Sequence, residues 1–551
     1  MFKASSRYRF ALTLLVLAIG AATTDAHAQT FSVLYNFGTH SDDPTNPVSE
    51  GIVAQGKDGN LYSTAPGGTD GVGAMFKITP GGTLTVPYTF DLTQEPLGGL
   101  TLGTDGNFYG TTNSGGTSNL GTIFKITPSG KPTVLHNFTN TGDGAYPYAP
   151  PIEGVDGNFY GTTTQANIGY GTVYKVTRSG ELTTLYSFDF THGEYPFAPL
   201  VQGTDGNFYG TAELGGTDTD CLDGCGTVFS ITPSGQFTVL FNFDQAHGGT
   251  PLGPLIQGSD GNFYGTTTAF GDFCCGVVFK MTPTGTVTVL YSFPGSDVDG
   301  FNPIAGLVQA NDGNLYGTTT SGGLTEQGTI FEISPTSPYN YRVLYNFDGT
   351  TGAGPQVGLV QHTNGILYGD TETGGTDTQY CGPCGTFYRL NMGLKPFVRL
   401  VSASGKVATT VEILGQGFTG TTEVSFDGTS ATFKVSSGTY LTAKVPAGAL
   451  TGSVTVATPS GDLTSNQTFR VTPQIKSFTP TKGPVGTLVH ITGVSLTQAT
   501  SVKFGSVSAS FTIYSDTKVT AYVPAGAQTG NITITTAGGT CTSKGVFTVT
   551  P

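Results

Sequence analysis

The sequence predicts an all-β protein: a seven-bladed β-propeller closed by its own N-terminal strand, followed by two β-sandwiches. Three observations carry this expectation. One motif recurs seven times, as "DGNLYSTAPGG", "DGNFYGTTNSGG", "DGNFYGTTTQAN", "DGNFYGTAELGG", "DGNFYGTTTAFG", "DGNLYGTTTSGG" and a decayed "TNGILYGDTETGG". Its tyrosines run from Tyr62 to Tyr368 in six steps, a mean period of 51 residues, which is the length of a propeller or solenoid unit. Four short alternating runs fill each period, and past Lys395 a second repeat begins with a spacing of 78 residues, from Val445 to Val523.

The chain opens with Lys3, Arg7 and Arg9, then the apolar run "FALTLLVLAIGAA", then "AHA" at Ala26 to Ala28. This is the three-part pattern of a secretory signal peptide over residues 1–28, and the run is shorter than the ~20 residues that a spanning helix needs. The expected mature protein is exported, secreted or at the cell surface, and not inserted in a membrane. The formal net charge of −14 becomes −16 once residues 1–28 are removed. An acidic surface repels phosphate backbones, so nucleic acid is excluded as a partner. With 83 Gly, 31 Pro and only 11% charged residues, against a usual share of about 25%, the chain is rich in turns and poor in helix formers.

Within residues 29–393 the fourth copy shows the unit: "PLVQG" (strand A), "NFYGTA" (B), "GTVFSIT" (C) and "FTVLFNF" (D). Apolar and β-branched residues alternate with small or polar ones. The A–B turn "TDGN" and the C–D turn "PSG" have the chemistry of tight hairpins. Four antiparallel strands per unit make a propeller blade. Strand D appears six times after the first six blades, and the seventh blade stops at "GTFYRLNM". The opening "FSVLYNF" (Phe31 to Phe37) is therefore the missing seventh D strand, and its pairing with the last blade removes two open sheet edges.

These units resemble the GloVer tandem repeats of exported bacterial proteins, a match carried by "DGNFYGTT", "GTVYKVT" or "GTIFKIT", and "TVLYSF". The resemblance implies an exported propeller and attaches no general activity to it. In residues 394–472 and 473–551, "TTVEILGQGF" recurs as "TLVHITGVSL" and "TAKVPAGALTG" as "TAYVPAGAQTG", a length and pattern suited to antiparallel sandwiches. Both copies look like immunoglobulin-like IPT/TIG domains, the second on "SFTPTKGPVGTLVHITG", and the expected role is spacing or adhesion.

Seven cysteines suit an exported chain. Cys225, Cys275 and Cys384 directly precede a strand C, and Cys221, Cys274 and Cys381 lie one to four residues earlier, so local disulfides pinning three B–C loops are expected. Cys274 and Cys275 either close a vicinal ring or pair with Cys221 and Cys225 on the neighbouring blade. Cys541 is left over. "CGPC" matches the thioredoxin motif, but that chemistry needs a helix N-terminus to lower a thiol pKa, and here a strand follows.

No metal, cofactor or catalytic cluster is legible. The repeated Asp-Gly-Asn lacks the alternating oxygen ligands of a calcium loop and reads as a turn. The A–B and C–D turns are nearly uniform, whereas the B–C and D–A loops share the opposite face and vary, which is where a rigid scaffold carries function. The D–A loops bring Asp42, Asp43, Asp143, Tyr146, Tyr148, His192, Glu194, Tyr195, Phe197, His247, Asp297 and Asp299 toward one rim. Of these, Asp143, Tyr146, Tyr148, His192, Glu194, Tyr195, Phe197 and His247 are the candidate ligand-binding residues, since rings beside carboxylates suit stacking on sugars. The expected function is a monomeric, non-catalytic binding or adhesion protein for an extracellular glycan or surface protein. The alternative is a polysaccharide hydrolase or lyase, which needs paired carboxylates or a base at the site.

Overall fold

The computed structural model describes residues 29–47, 52–68, 72–166, 169–218, 221–295, 298–376 and 380–551. The expected signal segment and Asp297 lie outside the described residues. All regular structure among the described residues is β. Seven four-stranded antiparallel sheets come first, each joining its strands in the order A-B-C-D. In the fourth these are Val201–Gln202, Phe208–Ala212, Thr227–Ile231 and Phe237–Asn242. Strand A is shorter than "PLVQG" suggested, two residues in every sheet, including those such as Thr101–Leu102 that carry glycine where the fourth carries Pro199. In the seventh sheet the outer strand is Thr30–Asn36, paired antiparallel with Thr386–Asn391 from Thr30 opposite Asn391 to Asn36 opposite Thr386.

Strand B is buried along its whole length, as in Phe208–Ala212, because a sheet packs on each of its faces. This explains the repeated Phe-Tyr pair. The tyrosine of one sheet stacks on the phenylalanine of the next: Tyr109 on Phe159 at 3.8 Å and Tyr160 on Phe208 at 3.9 Å between ring centroids. Such pairs contribute about 0.5–1.5 kcal/mol beyond the area they bury. Where the next sheet offers leucine, the tyrosine shares a core with it, as Tyr264 does with Leu315 and Tyr316 with Leu367. The same step joins the last sheet to the first, where Tyr368 and Phe387 share a core with Leu61 and Phe76.

The Asp-Gly-Asn motif fixes the A–B turn. Asp58 accepts hydrogen bonds from the Asn60 N–H at 3.1 Å, the Asn60 side chain at 2.6 Å and the Tyr62 hydroxyl at 2.8 Å, and five further copies repeat the pattern, as at Asp105 and Tyr109. In the decayed seventh copy Asn364 takes over, accepting from the Ile366 N–H and donating to the Tyr368 hydroxyl. Burial pushes the Asp260 carboxyl up, yet bonds from Lys280, Asn262 and Tyr264 hold it down to about 2. These carboxylates are committed to the turn.

A second device ties the sheets together. The glutamine that ends strand A accepts, through Oε1, the N–H of a turn residue in the preceding sheet: Gln202 from Val155, Gln257 from Thr204, Gln309 from Ser259 and Gln361 from Asn311, at 2.8–3.1 Å. Glu153 does the same for Thr104. Leu102 breaks the series in the second sheet.

Two sandwiches follow. The first pairs Arg399–Leu400, Thr410–Leu414, Tyr440–Lys444 and Phe433–Val435 in one sheet, and Thr429–Ser430, Glu423–Phe426, Val454–Thr458 and Gly461–Thr464 in the other, around a core that includes Ile413, Phe418, Phe426 and Phe469. The second repeats this order with a separate core around Ile491, Phe504 and Phe547. The first sandwich seats on the uniform turn face. Thr439 donates to the Lys57 carbonyl at 2.9 Å, Gln416 to the Thr363 hydroxyl at 2.9 Å and the Arg399 guanidinium to the Gln361 carbonyl at 2.6 Å.

Candidate ligand-binding site

With the turn face partly covered, the loop face is the side left to vary. Its D–A loops share a backbone device. Asn46, Tyr146, Tyr195, Thr250 and Asn302, each followed by proline, adopt left-handed φ values of 51–55°. Two hydrogen bonds hold each one. Its N–H donates to a B–C loop carbonyl of the preceding sheet, as Tyr146 to Leu120 at 2.9 Å and Tyr195 to Tyr170 at 3.3 Å. The Tyr146 and Tyr195 carbonyls accept the N–H of Thr164 and Glu213, which follow strand B in their own sheets. Asparagine tolerates this conformation; tyrosine does so at a cost in backbone strain.

The two left-handed tyrosines and the two aromatic residues that follow their prolines converge. Tyr146, Tyr148, Tyr195 and Phe197, with Asn113, Thr164 and Gln165, line a cleft of about 280 Å³. Tyr148 meets Phe197 edge-on with centroids 4.8 Å apart, and Tyr195 lies roughly parallel to Phe197 at 6.2 Å. All four rings are half-buried. The cleft therefore offers ring faces and edges framed by the hydroxyls of Thr164 and the three tyrosines and by two amide side chains, a chemistry for apolar sugar faces and their hydroxyls. A larger opening of about 410 Å³ involves Tyr35, His40, Asp42 and Asp43, but its one ring is tied down, since the Tyr35 hydroxyl donates to Asp43 at 2.6 Å.

The remaining candidates are not part of the cleft. Asp143 is bonded by the His136 ring at 3.0 Å and the Thr139 N–H at 3.0 Å; burial pushes its carboxyl up, but these bonds hold it below the usual range. His192 and His247 each lean on their own loop aspartate, Asp189 at 2.6 Å and Asp244 at 2.7 Å. Glu194 is buried, its backbone bridged to Leu214, and burial followed by the nearby Asp223 raises its pKa. The Asp299 carbonyl accepts from the Tyr341 hydroxyl at 2.5 Å. Asn113, Thr164 and Gln165 were absent from the sequence-based candidates. The signal that points to the first two is the position two residues past the fourth residue of each strand B, which reads Pro66, Asn113, Thr164, Glu213, Thr268, Thr320 and Glu372 beside a nearly invariant Gly-Thr.

The cysteines stand in three local pairs, Cys221 with Cys225, Cys274 with Cys275 and Cys381 with Cys384, with Cα atoms 5.3, 3.7 and 6.2 Å apart, while Cys541 has no disulfide partner. Cys225, Cys275 and Cys384 are the residues whose carbonyls receive the N–H groups of Thr250, Asn302 and Asn46. The disulfide-bearing loops thus hold those of the five left-handed residues that are not aromatic. Among the described residues no group of three or more His, Cys, Asp or Glu side chains is arranged to hold a metal ion.

These features define a class: a tandem-repeat, all-β protein whose turns are fixed by the repeated motif and whose loops carry the differences between copies. The chain belongs to the Gloeobacter/Verrucomicrobia repeat family, whose model matches residues 21–168, 93–256, 150–388 and 217–439. Its second sandwich is an IPT/TIG domain, matched over residues 473–549. No curated protein matches the chain. Similar solved structures include an oligogalacturonate lyase in complex with manganese, at 11% identity and a TM-score of 0.40 over 66% of this chain and 96% of that one. A luciferin-regenerating enzyme matches at 14% identity and a TM-score of 0.35, over 53% and 89%. A surface glycan-binding protein from Prevotella bryantii matches at 17% identity and a TM-score of 0.22, over 27% of this chain and 41% of that protein.

Proposed function

We propose that this is an exported, monomeric, non-catalytic glycan-binding protein of the bacterial surface or surroundings, a closed seven-bladed propeller with its ligand cleft on the loop face and two sandwiches as a spacer. Closure is supported by the core shared between the first and seventh sheets, and export by the signal pattern in residues 1–28. The observation that carries the binding reading is the conformation of Tyr146 and Tyr195. Both are bulky rings at left-handed positions where other sheets use Asn46, Thr250, Asn302 or Gly354, and strain of this kind persists where a side chain is needed. Among the described residues no carboxylate lines the cleft itself, which favours binding over glycoside hydrolysis by a pair of carboxyl groups at the scissile bond.

A glycan array probed with the mature chain tests this reading. Replacing Tyr148 and Phe197 with Ala should weaken the captured glycan by about 1–3 kcal/mol per ring that stacks. Normal binding by that variant with a lowered melting temperature would make the rings packing residues. Shortened oligosaccharide after incubation would favour the hydrolase or lyase instead.

A further inference from the structure

The charges of the repeat region are sorted by face. Every lysine and arginine from Lys57 to Arg389 lies in an A–B or C–D turn or on the stretch of strand C or D beside one. Five of these nine pair with acids, among them Lys77 with Asp58 at 2.9 Å, Lys280 with Asp260 at 2.8 Å and Arg178 with Asp105 at 3.6 Å. The B–C and D–A loops contain no lysine or arginine, although every D–A loop from the second sheet to the fifth carries at least one carboxylate and three B–C loops carry Glu213, Glu326 and Glu372. Histidine is the one cationic residue type on that side, and His192 and His247 are bonded to their own aspartates.

The aromatic cleft lies on this face, and two glutamates are joined through their backbones to residues that line it. Glu95, exposed, accepts through its carbonyl the N–H of the cleft residue Asn113 at 2.7 Å. The Glu213 N–H donates to the carbonyl of the cleft residue Tyr195 at 3.2 Å. An excess of like charge over a concave surface raises the potential, repels anions and concentrates cations. Ring faces attract a cation as well, through their quadrupole.

We propose that the ligand of this cleft is cationic, a glycan bearing free amino groups, with Glu95 and Glu213 supplying the counter-charge while the four rings hold the sugar faces. The inference rests on the glycan reading of the cleft and narrows it to amine-bearing sugars. Burial holds the Glu213 carboxyl above the usual range, so a protonated amine arriving beside it favours the ionised form and gains from it.

The test uses the mature chain, a fully deacetylated β-linked glucosamine oligomer, the same oligomer N-acetylated, a galacturonate oligomer and polylysine, in calorimetric titrations at mildly acidic pH and two salt concentrations. The amine oligomer should bind about tenfold more tightly than its acetylated form at low salt, with the gap closing as salt screens the field. The double variant Glu95→Gln and Glu213→Gln, checked for an unchanged melting temperature, should bind the two oligomers alike. Equal binding of both by the parent, or tighter binding of galacturonate, overturns the charge inference and leaves the glycan reading standing. Binding of neither sugar overturns both. Polylysine binding as tight as the amine oligomer, and unaffected by Tyr148→Ala and Phe197→Ala, overturns the inference in favour of a basic polypeptide.

Discussion

Gln55 and Thr363 lie 308 residues apart and are joined twice. The Gln55 amide donates to the Thr363 hydroxyl at 2.8 Å, and the Thr363 N–H donates to Gln55 Oε1 at 3.1 Å. Both residues are buried. This is the glutamine staple of the other sheets, applied across the junction of the first and last. Replacing Gln55 with Ala leaves a buried N–H unpaired and should cost about 1–3 kcal/mol. The matching change at half-buried Gln202 should cost less, and chemical unfolding of the two variants compares them. Equal losses would mean that the staple does not depend on burial.

Removing Thr30–Asn36 exposes the edge of Thr386–Asn391, an unpaired row of backbone groups beside the aromatic core of Phe31, Tyr345 and Tyr388. The truncated chain should aggregate or lose its cooperative transition. A melt like that of the parent would show that the strand is dispensable.

Asp370 occupies the position where six other sheets place a threonine that donates to a carbonyl of the next sheet, as Thr64 does to Pro96 and Thr111 to Ala149. It is fully buried, neither oxygen has a hydrogen-bond partner, and burial raises its pKa well above the ordinary carboxylate value. With a folded pKa above the unfolded one, its neutral form favours folding at low pH, and that contribution is lost as pH rises through the folded value. Asp370→Thr should therefore stabilise the protein at neutral pH, by about 1–3 kcal/mol, and the gain should shrink toward pH ~4, near the ordinary Asp pKa. A gain independent of pH would contradict this account.

Tyr195→Asn places at a left-handed position the residue type that Asn46 and Asn302 already supply. Relief of strain should raise stability by up to about 1 kcal/mol, while removal of a ring should weaken glycan capture. Loss of both stability and binding would identify Tyr195 as a packing residue.

Mass mapping of non-reduced peptides should recover Cys221 with Cys225, Cys274 with Cys275 and Cys381 with Cys384, and a free thiol at Cys541. Links between Cys221 or Cys225 and the Cys274–Cys275 pair would overturn the local pairing.

Strands B, C and D and their turns were legible because their signals are local: period-two alternation and the chemistry of Asp-Gly-Asn. The staple was not. Within one repeat Gln202 is a polar residue at the end of a strand, and its partner Val155 belongs to another copy. Strand A looks longer in the sequence for a similar reason, since Pro199 and Leu200 are apolar to pack under the loop rather than to pair. The cleft was legible in part. Tyr146, Tyr148, Tyr195 and Phe197 stand out as aromatic departures from the repeat, whereas Asn113 reaches them only when neighbouring sheets stack and Gln165 only through its backbone bridge to Ala145. His192, His247 and Asp143 were grouped with the rings because loop membership does not reveal that a nearby side chain already satisfies each of them.

The bond from each left-handed residue to a carbonyl of the preceding sheet has a consequence for how such a protein changes over generations. Tyr195 is encoded in one copy of the repeat and held by Tyr170 from the copy before it, as Tyr146 is held by Leu120. The heritable unit of recognition is thus the junction between two copies. Exchanging a single copy breaks two junctions and founds two new ones, so specificity shifts in pairs of neighbouring positions, and a transplanted copy carries its rings without the grip that aims them.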